Sequence, residues 1–292
     1  MAKVCLYHGS DLDGICSAAI IKLRYPETVL HPVEYGGNIG LYGADGKIQN
    51  GDEVTIADFV LQPFKQMKVL NDLVDLTWID HHDTAIIDYE KFLADGQIKE
   101  IKGVRDITKS ACELTWEYMF PDVSVPYSVW LLGRYDVWSH SESKSIIPFQ
   151  FGMKLNYEDP NDTDFWDSIF TAPRDNDIIQ EVIKCGNTII KYRKRLNKKL
   201  CDIQSFESSL MGYKCIYVNR ALCGSTVFDS IDKEPYDILV TFYICSRGSW
   251  NVSLYSNKDN IHVGKIAQLY GGGGHASAAG FRCSLLPFEI ID

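Results

Sequence analysis

The chain has 292 residues, 46% of them hydrophobic, and a formal net charge of −10. That length gives one large domain or two ordinary ones with proper cores, and so apolar a composition, without low-complexity segments or internal repeats, excludes a disordered chain. An acidic chain lacks the counterion-release term that holds a long duplex, so no long DNA or RNA partner is expected; a phosphate substrate stays open, because clustered carboxylates can hold divalent cations that invert the local field.

KVCLY (3–7) reads as a buried strand, and LDGICSAAIIKLRY (12–25) as a helix that Pro26 stops. TVLHPVEY (28–35) is a weaker strand, with Pro32 suggesting an edge position. EVTIAD (53–58) and LTWID (76–80) are two further strands around a helix within 63–73, and helices follow near 110–119 and 126–138. Such alternation predicts an α/β fold, with an N-terminal doubly wound, mostly parallel sheet over 1–173. From 174 to 204, apolar residues at 178, 179, 182, 183, 189, 190 and 196 keep helical spacing and predict a connecting helix, whose basic cluster Lys191 to Lys199 reads as a solvated face. KCIYV, ILVTFYIC and WNVSLYS read as strands, with short helices at 225–232 and 262–270, so that 205–292 forms a smaller α+β domain.

The nine cysteines are odd in number and never fall as C-x-x-C, which argues against a disulfide framework and a thiolate zinc site. MAKVCLYHGSD has too short an apolar core for a signal peptide, and no run of about 18 apolar residues could span a bilayer. A cytoplasmic protein without a membrane partner is expected.

The acids fall at strand ends. KVCLY runs into His8, Asp11 and Asp13; EVTIAD ends on Asp58; LTWID ends on Asp80 and continues as His81 and His82. Each stretch has a plain local reading, and Asp11 or Asp13 can cap the following helix. Three strands delivering ligand-type groups at their carboxyl ends point instead to one site, since those ends form the ligand-binding edge of an open α/β sheet. Aspartate and histidine without cysteine suit hard or borderline divalent ions such as Mn²⁺ or Mg²⁺ better than Zn²⁺. Six to seven candidate ligands exceed the needs of one ion, and two metals form the clamp that phosphoester hydrolysis uses. Adjacent histidines on an extended segment project to opposite sides, which predicts different roles for His81 and His82.

With these motifs the sequence resembles the DHH phosphoesterase superfamily, in its DHHA1 subfamily and its oligoribonuclease-like members. Asp80-His81-His82 matches the name motif, HGSDLDG (8–14) the first motif, Asp58 of IADF the second, and Asp136 of GRYDVW a further aspartate. SACEL (110–114) resembles the small-residue stretch after the DHH motif, and GGGGHASAAGF (271–281) the subfamily's glycine-rich signature. The resemblance implies one metal on His8, Asp11 and Asp58, and a second on Asp13, Asp58, His81 and Asp136, with Asp58 bridging. It assigns His82 to the substrate phosphate and Asp80 to orienting an imidazole or the strand end. It places Gly272, Gly273, Gly274 and His275 on the substrate's terminal part, with the active site in a cleft between the two domains. Close backbone approach to a phosphate is also a physical reason for consecutive glycines. One departure stands out: several relatives carry a phosphate-contacting arginine where this chain has Tyr255, leaving Arg134, Arg247, Lys258, Lys265 and Arg282 as compensating cations.

The expected function is hydrolysis of short oligonucleotides, or of linear dinucleotides such as pApA, to mononucleotides by two divalent ions, Mn²⁺ first with Mg²⁺ or Co²⁺ as substitutes. Cleavage of 3′-phosphoadenosine 5′-phosphate, polyphosphate or pyrophosphate is the rival enzyme reading. A nucleotide-binding sensor without catalysis is the reading from another class. Either a monomer or a homodimer fits.

Overall fold

A computed structural model of the chain describes residues 1–34, 48–139, 143–156, 159–245, 248–256, 258–274 and 276–290. It divides into two compact units, Met1–Ile189 and Ile190–Asp292.

Four parallel strands form the sheet of the first unit: β1 (Lys3–His8), β2 (Val29–Val33), β3 (Glu53–Ala57) and β4 (Asp75–Ile79), in the order β2-β1-β3-β4. The strand order, not the strand direction, reverses between β1 and β3, the switch point where an open sheet parts its loops and makes room for a ligand. β2, with Pro32, lies at the edge, as the proline predicts. Strand alternation sends Val4, Leu6, Val54, Ile56, Leu76 and Trp78 into one core and Cys5, Tyr7, Ala57 and Ile79 into the other. The first core is covered by α2 (Lys65–Leu73) and α3 (Asp83–Ala94); the second by α1 (Leu12–Arg24), α4 (Ala111–Met119), α5 (Tyr127–Asp136), α6 (Ser143–Asn156), α7 (Thr163–Thr171) and the start of α8 (Asp177–Gln204). Helices on both faces make the unit doubly wound. α6 and α8 approach closely because Gly152 and Gly186 carry no Cβ; one added at Gly186 would meet the Pro148 carbonyl.

Beyond β4, residues 102–106 extend the hydrogen-bonding edge. Trp78 N–H donates to the Lys102 carbonyl (2.8 Å) and Asp80 N–H to that of Val104 (3.2 Å). Gly103 permits this, since its φ is 109° and an added Cβ would collide with the Trp78 carbonyl.

In the second unit, β5 (Phe206–Leu210), β6 (Tyr213–Asn219), β7 (Ile238–Ile244), β8 (Trp250–Tyr255), β9 (Gly273–Gly274) and β10 (Ala278–Cys283) form a mixed sheet in the order β5-β6-β7-β8-β10-β9. Cys215, Tyr217, Ile238, Val240 and Phe242 face a core shared with α9 (Val263–Leu269), while Ile216, Val218 and Leu239 face one shared with Cys201 of α8 and a 3₁₀ turn, Ser225–Phe228. Among the described residues no helix is long and apolar enough to cross a membrane, and the nine cysteines are free thiols.

Candidate metal centre

Where β1 ends, the chain turns through Asp11, whose carboxylate caps α1: Oδ1 accepts from the N–H groups of Asp13 and Gly14, each at 3.1 Å. Its other oxygen lies 2.9 Å from His8 Nδ1. α1 starts against β1 because residue 14 is glycine; a Cβ there would strike the His8 carbonyl oxygen and stand 2.8 Å from its carbon. Asp13, in the first turn of α1 and 3% exposed, faces the N-terminus of α4. Its oxygens accept from Ala111 N–H and Cys112 N–H, both at 2.8 Å, so the positive end of a helix dipole stabilises a buried anion. The predicted SACEL stretch thus supplies backbone donors, and its own start carries a capping box between Ser110 and Glu113. Glu113 in turn pairs with Arg134 of α5.

Asp58 follows β3 and is 2% exposed. Its φ of 55° is left-handed, a region aspartate tolerates better than bulkier side chains. One oxygen is 3.6 Å from His8 Nδ1, the other 3.3 Å from His81 Nε2. His81 Nε2 is also 3.3 Å from Asp136 at the last residue of α5 and 3.6 Å from Asp13. Six predicted ligands therefore converge in two neighbouring groups, His8 with Asp11 and Asp58, and Asp13 with His81 and Asp136, their ligand atoms within 4.8 Å of one another in each group. Asp58 also groups with His81 and His82.

Asp80 is fully buried and its hydrogen bonds point inward. Oδ1 accepts from His81 N–H (2.8 Å) and His82 N–H (3.3 Å) and sits 2.6 Å from His82 Nδ1, while Oδ2 accepts from Trp78 Nε1–H (3.2 Å). The expectation that His81 and His82 diverge to opposite sides needs correction. His82 is the N-cap of α3 and its own backbone is still extended, yet the two rings lie on neighbouring sides, 4.8 Å apart and tilted by 54°.

Electrostatics mark the cluster as short of positive charge. Burial, then the neighbouring Asp58 charge, push Asp13 up to about 7; burial and Asp13 push Asp136 up to about 7 as well. Burial likewise raises Asp58, against the opposing pull of His8 and His81. Hydrogen bonds to Asp11 and Asp58 hold His8 up at about 10. Burial disfavours a charged His81, yet the carboxylates of Asp58, Asp13 and Asp136 prevail and hold it at about 9. Carboxylate oxygens and imidazole nitrogens, with no sulfur in any group, are the donors of hard and borderline divalent ions. The residues fit such ions, which would relieve the crowded negative charge.

In the second unit, Gly271 ends α9 with a φ of 76° and a Schellman pair of bonds, Gly271 N–H to Gln268 and Gly272 N–H to Ala267. Gly272 and Gly274 lie so close to β10 that a Cβ at either would collide with its backbone, whereas Gly273 is exposed and open. Part of the glycine run thus answers a packing demand. His275 and Arg247 lie outside the described residues. Tyr255 packs against the core beneath β6 and β7. Arg134 is engaged by Glu113, Lys258 approaches Asp237 (3.6 Å), and Arg282 donates to Asn251 (2.9 Å).

No family model matches the sequence. An uncharacterized protein, R106, of Acanthamoeba polyphaga mimivirus is 29% identical over an alignment spanning 99% of this chain and 70% of R106. Among solved structures, the DHH domain of a member of the s1p family of ribosomal proteins superposes with a TM-score of 0.58 at 14% identity, covering 96% of this chain and 82% of that one. PggH, a pGpG-specific phosphodiesterase from Vibrio cholerae, superposes with a TM-score of 0.54 at 11% identity, covering 98% and 94%.

Proposed function

We propose that this chain, which has the fold of DHH-domain proteins, is a phosphodiesterase dependent on two divalent ions that cuts short oligonucleotides or linear dinucleotides to mononucleotides. The convergence of His8, Asp11, Asp13, Asp58, His81 and Asp136 at the carboxyl edge of one parallel sheet, with Asp58 common to two of the groups, carries this reading. That PggH acts on pGpG and shares the fold supports a phosphodiester ahead of a phosphoanhydride.

His8, Asp11 and Asp58 would hold one ion, and Asp13, Asp58, His81 and Asp136 the other. When bound, such ions lower the pKa of water and offset charge developing on a phosphoryl group. Asp13 is held rigid by Ala111 and Cys112, so its position does not depend on substrate. Asp80 holds His82 through Nδ1, and His82 would donate from Nε2 to a phosphate oxygen; burial opposes a charged His82, but Asp80 raises its pKa. Gly272, Gly273, Gly274 and His275 would take the terminal part of the substrate. Mn²⁺ is the first choice of ion, with Mg²⁺ or Co²⁺ as substitutes.

The test is a substrate panel at one Mn²⁺ concentration: a labelled five-nucleotide RNA, pApA, pGpG, 3′-phosphoadenosine 5′-phosphate and pyrophosphate. Mononucleotides should appear from the first three fastest, and Asp80→Ala combined with His81→Ala should abolish them. Faster phosphate release from pyrophosphate than cleavage of any dinucleotide would overturn the proposal.

A further inference from the structure

Trp138 is 83% exposed, more than any other aromatic side chain among the described residues. Its φ of 54° lies in the left-handed region, which bulky residues rarely adopt and glycine or asparagine enters more easily. The end of α5 imposes that conformation through three backbone bonds: Val137 N–H to Gly133 (3.1 Å), Trp138 N–H to Tyr135 (3.2 Å) and Ser139 N–H to Arg134 (2.9 Å). A large and mostly exposed aromatic side chain thus sits on a strained backbone, in a conformation that a small polar residue adopts more easily. Strain of this kind collects at ligand-binding positions. Here it lies two residues past Asp136, whose carboxylate stands 3.3 Å from His81 Nε2. Successive Cα atoms are 3.8 Å apart, so the Cα atoms of Asp136 and Trp138 are within about 7.6 Å of each other.

Resting on the phosphodiesterase reading above, we propose that Trp138 is the platform on which a nucleobase of the substrate stacks while its phosphate lies at the aspartate and histidine cluster. A flat aromatic face suits the π-face of any base without reading its edge. The substrate class is therefore nucleotides, with little preference among bases from this contact, and phosphate compounds lacking a base forgo it.

The proposal is tested by calorimetric binding of GMP and of ribose 5-phosphate, the same phosphate and sugar without the base, to the full chain with Mn²⁺. Trp138→Ala should weaken GMP binding by about 5- to 150-fold, the range that base stacking on an aromatic gives, while ribose 5-phosphate changes less than twofold. Trp138→Phe should restore most of the GMP affinity, which a merely structural role for the indole would not require. Equal loss for both ligands, or no loss for GMP, overturns the stacking role while leaving the phosphodiesterase reading intact. If the wild-type chain binds neither ligand, that reading fails and takes this one with it. A dimer that Trp138→Ala dissolves, with GMP affinity unaltered, would assign the ring to self-association and also overturn it.

Discussion

Replacing Gly14 by alanine sets two effects of opposite sign against each other. Helix propensity alone favours alanine inside α1 by about 1 kcal/mol. Geometry opposes it: the new Cβ would strike the His8 carbonyl oxygen and lie 2.8 Å and 2.9 Å from the His8 carbonyl carbon and Cβ. Those atoms belong to the end of β1, so α1 must move away from the strand or the strand must bend. Forcing one methyl into a packed site costs about 1–3 kcal/mol. Displacing Gly14 N–H from Asp11 Oδ1, now 3.1 Å away, removes a charge-assisted hydrogen bond worth about 1.5–3 kcal/mol. The net expectation is a loss of roughly 1.5–5 kcal/mol, or roughly 3–20 °C in Tm for a unit of this size. Because the movement separates His8 from Asp11 and Asp58, Mn²⁺ affinity should fall about 10- to 100-fold, as when a ligand loses its support. Calorimetric unfolding of the metal-free chain gives the first quantity and titration with Mn²⁺ the second. A variant that melts higher than wild type and binds Mn²⁺ equally would refute the reasoning.

Asp80→Asn should lower Tm by the equivalent of about 1–3 kcal/mol, since one acceptor oxygen among Trp78, His81 and His82 becomes a donor without a partner; turnover should drop about 10- to 100-fold with it. Glu113→Gln strands the Arg134 guanidinium, only 18% exposed, and should cost about 3 kcal/mol in urea unfolding, with the double variant Glu113→Gln and Arg134→Gln losing less than the sum. pH should act on the metal-free chain with a definite sign. Asp13 and Asp136 at about 7, His81 at about 9 and His8 at about 10 all bind protons more tightly folded than unfolded. Their stabilising contributions are complete below the ordinary carboxylate and imidazole values and are lost as pH climbs through the folded ones. Tm should therefore fall between about pH 5 and 8.5 without metal, and saturating Mn²⁺, which displaces those protons, should reverse the slope.

The ends of β1, β3 and β4 were legible in the sequence because each apolar run stops on an aspartate or histidine, and a parallel sheet necessarily gathers those ends at one edge. Asp136 carried no such mark; the packing of α5 against α1 and α4, a long-range matter, brings it to His81. α3 went unread because its apolar residues point all ways, Ala85 and Tyr89 inward but Ile87 and Leu93 into solvent, which blurs any stripe. α6 holds Pro148 in its interior and leans on glycines at the α8 contact, and both features read locally as breaks. β10 is built from Ala-Ala-Gly, residues of low strand propensity, and owes its form to pairing with β8. The supports of the site were equally hidden, apart from the capping box of α4: Gly14 and Gly103 are needed for contacts that only the folded backbone creates.

The central claim is that the cluster holds catalytic divalent ions through a shared Asp58. Its most direct test is a titration of the metal-free chain with Mn²⁺, following bound metal and cleavage of pGpG together, for wild type and Asp58→Asn. The account predicts two ions per chain, cleavage that rises with their binding, and loss of both in the variant. Cleavage that proceeds in the metal-free chain, or an Asp58→Asn variant that still binds two ions and cuts pGpG at the wild-type rate, would contradict it.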